Sequence, residues 1–238
     1  HIDAHAHFAG TSDFGFDSVI GLKQLASAGV TTAIDLGGSM DILYDAVKRG
    51  GTGINMASLM RITPGGTVSS EEPDRAELKQ VLTDGLGTGS IGAKMWGGYD
   101  PLTPEGTARV IEACNALGAH VAFHVGTTET GSRLDGLREV PEILGANGRL
   151  HIAHINAYCR GSILEAHEEV VEALQIIEYN ADTVLEEIGV NFPDNPEALA
   201  LWRAAGADVT GDRVRIPRGL ARELCKTAPS QFTQHARN

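Results

Sequence analysis

The sequence is short of cysteine, of positive charge and of long apolar runs, and each shortage excludes something. Only three cysteines occur, Cys114, Cys159 and Cys225. An odd number at wide spacing excludes a disulfide framework and points to free thiols in a reducing, cytoplasmic setting. Lysine and arginine total 19 against 31 aspartate and glutamate, a net charge of −12. That surface repels phosphate backbones, which argues against nucleic-acid binding. No apolar stretch approaches the roughly 18 residues that a membrane span needs. No signal peptide is visible, and the chain starts inside a strand-like run, which points to residues missing ahead of His1.

What is present is a globular composition. Of 238 residues, 42% are hydrophobic and 21% charged, enough for one large α/β domain or two small ones. The opening run, His1-Ile-Asp-Ala-His5-Ala-His7-Phe, reads as a strand. Helical spacing of apolar residues follows over 16–28, after a loop over 10–15. Strands over 30–36, 53–60, 90–96, 119–125 and 150–155 then alternate with helices over 40–49, 71–86, 103–117, 134–144 and 162–177. Alternation of this kind builds parallel βα units. The polar residues ending the strands are His7, Asp35, Arg61, Lys94, His124 and His154, at intervals of 28, 26, 33, 30 and 30 residues. A doubly wound sheet would favour a glycine-rich phosphate loop after its first strand, and none is found there. The expectation is therefore a single α/β domain over 1–238, a (β/α)8 TIM-type barrel with function at the C-terminal strand ends.

The pattern is clear to residue 178 and weak from 179 to 238. The interval predicts a seventh strand within 180–189, an eighth within 207–212, and helices over 196–205 and 217–225. A complete barrel typically takes about 250 residues, so the C-terminal third is expected to be incomplete or to lack residues.

Side chains on a strand alternate faces, so His5 and His7 point the same way, and two imidazoles on one face can hold one metal ion. An ordinary strand with two satisfied histidines reads equally well from that stretch alone. Lys94 lies in the apolar run Ile91-Gly-Ala-Lys-Met-Trp96. Burial favours its neutral amine, which can take up carbon dioxide as a carbamate and offer two oxygens to metal ions; from this stretch alone, a lysine snorkelling out of the strand end reads better. His124 and His154 each end an apolar strand. His1, His120, His151, His167 and His235 read as structural or solvent-facing; parity with His154 turns His151 toward the helices.

Histidine, lysine and histidine ligands at successive strand ends, with Gly29-Val-Thr-Thr-Ala-Ile-Asp35, resemble the amidohydrolase superfamily. The likeness is to its two-metal members with a carboxylated lysine, such as dihydroorotases and hydantoinases. It implies that His5 and His7 bind a more buried ion, that His124 and His154 bind a more exposed one, and that carboxylated Lys94 bridges them. A strand-eight aspartate is also implied, as ligand and proton carrier; Asp212 fits by periodicity, with Asp208 in reserve. The two divalent ions, zinc foremost with manganese, iron or cobalt as alternatives, would generate a bridging hydroxide. The implied reaction is hydrolysis of an amide C–N bond in a small cyclic amide or N-acyl amino-acid-like substrate. Rival readings are a phosphotriester or lactone hydrolase and a catalytically silent barrel acting as a binding or assembly subunit. Arg61 reads equally as a partner for a substrate carboxylate or as a surface salt bridge, while Tyr99, Asn156 and Tyr158 on the rim loops read as substrate hydrogen-bond donors or, more readily, as loop packing; Cys159 reads as inert. A homo-oligomer acting on a small molecule completes the expectation.

Overall fold

The computed structural model describes residues 1–9, 17–145, 148–231 and 233. The loop expected over 10–15, the first residue of the first helix and His235 lie outside them. The chain divides into two compact units, His1–Val170 and Val171–Asn238. The single barrel domain of the sequence reading spans both.

The first unit is a parallel sheet of six strands in sequence order: β1 (Ile2–Ala6), β2 (Thr32–Leu36), β3 (Asn55–Ile62), β4 (Gly92–Trp96), β5 (His120–His124) and β6 (His151–Ile152). Between successive strands run α1 (Ser18–Ser27), α2 (Met40–Gly50), α3 (Arg75–Gly87), α4 (Pro104–Ala116) and α5 (Leu134–Leu144). Local sequence sets the helix starts. The carboxylates of Asp17 and Asp74 accept from the amides of Val19 and Glu77, and the Thr103 hydroxyl accepts from Gly106 with Pro104 in the first turn. Gly118 ends the α4 connection at φ 66°, a left-handed conformation that glycine adopts without penalty. Gly92 permits close strand approach, because a Cβ there would lie 1.8 Å from the carbonyl oxygen of His120.

The sheet is strongly curled. Neighbouring strands lie about 4.8 Å apart, so the outer strands of a flat six-stranded sheet would be separated by roughly 24 Å. Here the His5 ring, on β1, and the His154 ring, just past β6, have centroids 4.9 Å apart. Six barrel strands are thus in place, with the curvature of a TIM-type barrel that is incomplete. On the inner face Leu36, Leu59 and Ala122 form a buried cluster with Ile34 packed on it. Outside, Leu22, Leu43 and Ala46 of α1 and α2 bury against Phe8 and Ala33.

The barrel pattern ends after β6. Residues 180–189 form no strand. Instead α6 (Ala166–Thr183) runs on into a π-helical turn, Val184–Ile188. The run from Ala166 is rich in good helix formers, and Asn180 and Thr183 return side-chain hydrogen bonds to the carbonyls of Ile176 and Tyr179. In the second unit β7 (Val190–Asn191), α7 (Pro196–Ala204), β8 (Asp208–Thr210), β9 (Arg213–Arg215) and α8 (Leu220–Cys225) follow. Its sheet is antiparallel, ordered β7-β9-β8, over a core of Leu199, Val214 and Ile216. The expected eighth strand therefore exists in part, but as one arm of a hairpin and not as a barrel strand.

Candidate functional site

β1 delivers His5, and His7 follows one residue past its end. Their Nε2 atoms are 3.3 Å apart, with ring planes at 73°. The amides of Phe8 and Ala9, next in the chain, donate to the Asp35 carboxylate at 2.5 and 2.6 Å, which fixes this strand end. Burial holds the Asp35 carboxyl up at about 6 despite those donors. β4 delivers Lys94, in register with Arg61 and Ala122. Its side chain is 1% exposed, and Nζ finds no hydrogen-bond partner among the described residues. Burial pushes that amine down to about 8.

His124 closes β5 opposite Trp96. The His154 ring centroid is 4.6 Å from that of His124, and its backbone sits at φ 25°. A non-glycine residue there carries local strain, a feature that gathers at functional sites. Tyr158 pins the pair of strand ends: it accepts from the Val125 amide and donates to the Ala153 carbonyl, 2.8 Å each. Both His5 and His124 are held down at about 4, by burial first and then by neighbouring positive groups. His5, His7, Lys94, His124 and His154 thus come together at the C-terminal ends of the strands.

Its fit to metal is partial. Two nitrogens bound to one tetrahedral zinc at about 2.0 Å lie roughly 3.3 Å apart, which the His5–His7 pair matches. The His154 Nδ1 and Lys94 Nζ are buried without partners. His124, however, has its Nε2 engaged 2.7 Å from the Ser132 hydroxyl. Among the described residues no three His, Cys, Asp or Glu side chains are gathered closely enough to hold one metal ion.

The other expected residues are placed as follows. Arg61 pairs with Asp100 and stacks 4.1 Å over the Trp96 ring. Tyr99 is exposed on the rim, with its ring 5.7 Å from Trp96 and 5.5 Å from His124. Asn156 sits in a 3-10 turn, Ile155–Ala157. Asp212 lies in the turn between β8 and β9 of the second unit, and Asp208 begins β8, 3.8 Å from Arg215. Neither ends a barrel strand, because the chain has left the βα repeat before reaching them. His151 does not face the helices: it registers with Ala122, and its Nδ1 is 3.4 Å from Nε2 of His120.

A cavity of about 380 Å³ opens above the ring, lined by His7, Lys94, Trp96, Tyr99, Asn156 and Arg160 among others. Trp96 and Arg160 were not foreseen as site residues. Trp96 shares strand parity with Lys94, so alternation alone could have found it. Arg160 and Ser132 lie on loops that carry no such signal.

Comparison with known proteins directs the function elsewhere than the sequence motifs do. Residues 154–238 match the trimethylamine methyltransferase (MTTB) family. A glycine betaine methyltransferase from Desulfitobacterium hafniense (strain Y51) is 39% identical over 79 residues, which are 33% of this chain and 16% of that protein. The chain thus spans about one sixth of the length of this relative. Among solved structures, an uncharacterized protein is 16% identical over 72% of this chain and 50% of its own, with a TM-score of 0.46. An AP endonuclease of family 2 from Brucella melitensis is 12% identical over 68% of this chain and 72% of its own, with a TM-score of 0.40.

These matches overturn the amidohydrolase expectation. Family and relative are both methyltransferases, transferases and not hydrolases of carbon–nitrogen bonds. The lactone or phosphotriester hydrolase and the silent barrel gain no support from them either. Among the described residues no helix is long and apolar enough to cross a membrane.

Proposed function

We propose that this chain serves methyl transfer from a methylated amine that also bears a carboxylate. The observation that supports it is the overlap of the matched stretch with the cavity. Residues 154–238 are the part similar to methyltransferases, and His154, Asn156, Ala157 and Arg160 of that stretch line the same cavity as Trp96 and Tyr99.

The chemistry of the cavity agrees with such a ligand. A methylated ammonium gains from the faces of tryptophan and tyrosine, the best aromatic partners for a cation without N–H donors. Arg160 would repel a bare cation but attract a carboxylate. A zwitterion satisfies both ends, so glycine betaine should bind better than trimethylamine. In the transfer, the C–N bond to a methyl group breaks while that carbon bonds to an acceptor nucleophile such as a thiolate, and the amine leaves neutral with its electron pair.

His5, His7, Lys94, His124 and His154 are the residues that would hold divalent metal, zinc first, with the Lys94 carbamate as an oxygen donor. Bound there, the metal would supply Lewis acidity toward the ligand carboxylate. A cytoplasmic homo-oligomer belongs to the same proposal, and light scattering on the eluting protein would test the assembly.

The decisive experiment is calorimetric titration of the chain with glycine betaine and with trimethylamine. Binding of glycine betaine, weakened roughly tenfold by Trp96→Ala, is the expected result. Absence of heat with both ligands at millimolar concentration overturns the reading.

A further inference from the structure

A second pair of imidazoles meets at the opposite end of the same strands. His120 opens β5 and His151 opens β6, so both lie at the N-terminal strand ends. His151 registers with Ala122, two residues beyond His120, and two residues along a strand return to the same face. The rings are therefore diagonal neighbours on the inner face of the sheet. Nε2 of His120 and Nδ1 of His151 stand 3.4 Å apart, with centroids 5.6 Å apart and planes at 57°. That spacing is close to the roughly 3.3 Å between two nitrogens on one tetrahedral zinc.

We infer that His120 and His151 form a divalent-cation site, distinct from the ring at the C-terminal strand ends, that clips β6 onto β5. The rings open onto a cavity of about 300 Å³. Burial lowers the proton affinity of both, which leaves neutral imidazoles able to act as ligands. Imidazole donors select zinc, nickel or copper over magnesium or calcium. Arg149 lines the same cavity, with its Nε on the Asn115 carboxamide oxygen at 3.3 Å. Its charge suits an anionic co-ligand, a carboxylate or chloride, at a remaining coordination position. The mechanical consequence follows from β6, which pairs with β5 through only two residues, His151 and Ile152. A bond from each strand to one ion would tie this short pairing shut.

A direct hydrogen bond between neutral imidazoles, one donating and one accepting, would give the same distance without metal. Two measurements on the full chain separate the cases. In the first, histidines are modified with diethyl pyrocarbonate with and without zinc, and the adducts are mapped by peptide mass spectrometry. Zinc at tenfold over its dissociation constant should lower modification of His120 and His151 together by about tenfold, leaving exposed His167 unchanged. In the second, His120→Gln and His151→Gln are titrated with zinc after circular dichroism confirms their fold. Both should lose the same binding step, and zinc should raise their melting temperature less than that of the parent chain. Protection of only one of the two histidines, or of neither, would overturn the site. Undiminished zinc binding by both variants would do the same.

Discussion

The two rims of one curled sheet carry histidine pairs with nearly the same nitrogen separation and opposite surroundings. At the C-terminal rim His5 and His7 stand 3.3 Å apart, crowded by Lys94 and His154 and roofed by Trp96 and Tyr99. At the N-terminal rim His120 and His151 stand 3.4 Å apart, with Arg149 as the charged residue sharing their cavity. Strand geometry puts both members of each pair on one side of the sheet, and the side-chain rotamers bring their nitrogens together. The neighbours set what each pair can do. Above, aromatic and charged side chains wall the cavity; below, the two imidazoles share theirs with Arg149.

The largest way to break the upper rim while sparing the lower is Asp35→Ala. It strands the buried amides of Phe8 and Ala9, which hold the chain just beyond His7. Each unsatisfied buried donor costs about 1–3 kcal/mol, so a loss of about 3 kcal/mol is expected in urea unfolding. Glycine betaine binding should fall with it, and zinc protection of His120 and His151 should persist. A next, smaller effect of opposite sign comes from Lys94→Met. The folded state lowers the lysine to about 8 from 10.5, so it disfavours the charged form. The resulting penalty is fully present below pH 8 and vanishes above 10.5. Methionine should therefore stabilise by about 2 kcal/mol at neutral pH, with the gain shrinking as pH climbs through that window. A constant gain across it would show that Lys94 is not held against its charge.

Much of the upper rim was legible because His5, Lys94 and His124 lie in strands, where parity is simple, with His7 and His154 just past strand ends. The failures have local causes. Parity counted back from His154 turns His151 outward, but His154 lies past the strand in left-handed backbone, so counting across that break inverts the face. The 30-residue interval that placed His124 and His154 also pointed to Asp212, yet α6 runs on through 183 and the chain beyond folds as an antiparallel sheet. Function misled for a related reason. The hydrolase motifs lie in residues 2–154, whereas the similarity to methyltransferases begins at 154. Recurrent ligand patterns at barrel strand ends report geometry, and geometry of this kind is shared by unrelated chemistries.

Acid should separate the rims further. Histidines held low in the folded state bind fewer protons than in the unfolded chain, so their contribution is intact above pH 6.5 and lost as pH falls toward 4. Asp35 works the other way. Its carboxyl, raised to about 6, takes up a proton on folding and adds stability as pH falls from 6 to 3.8. The histidines outnumber it, so net stability should decline on acidification, measured by urea unfolding across that window. His124→Gln should flatten the decline and Asp35→Asn should steepen it. The smallest effect belongs to the lower rim. Without metal, His120→Gln should change stability by less than about 0.5 kcal/mol at neutral pH, as for a partly exposed residue without a buried partner to orphan. A larger loss in metal-free buffer would mean that the His120–His151 contact is itself structural, and would erase the contrast between the two ends of the sheet.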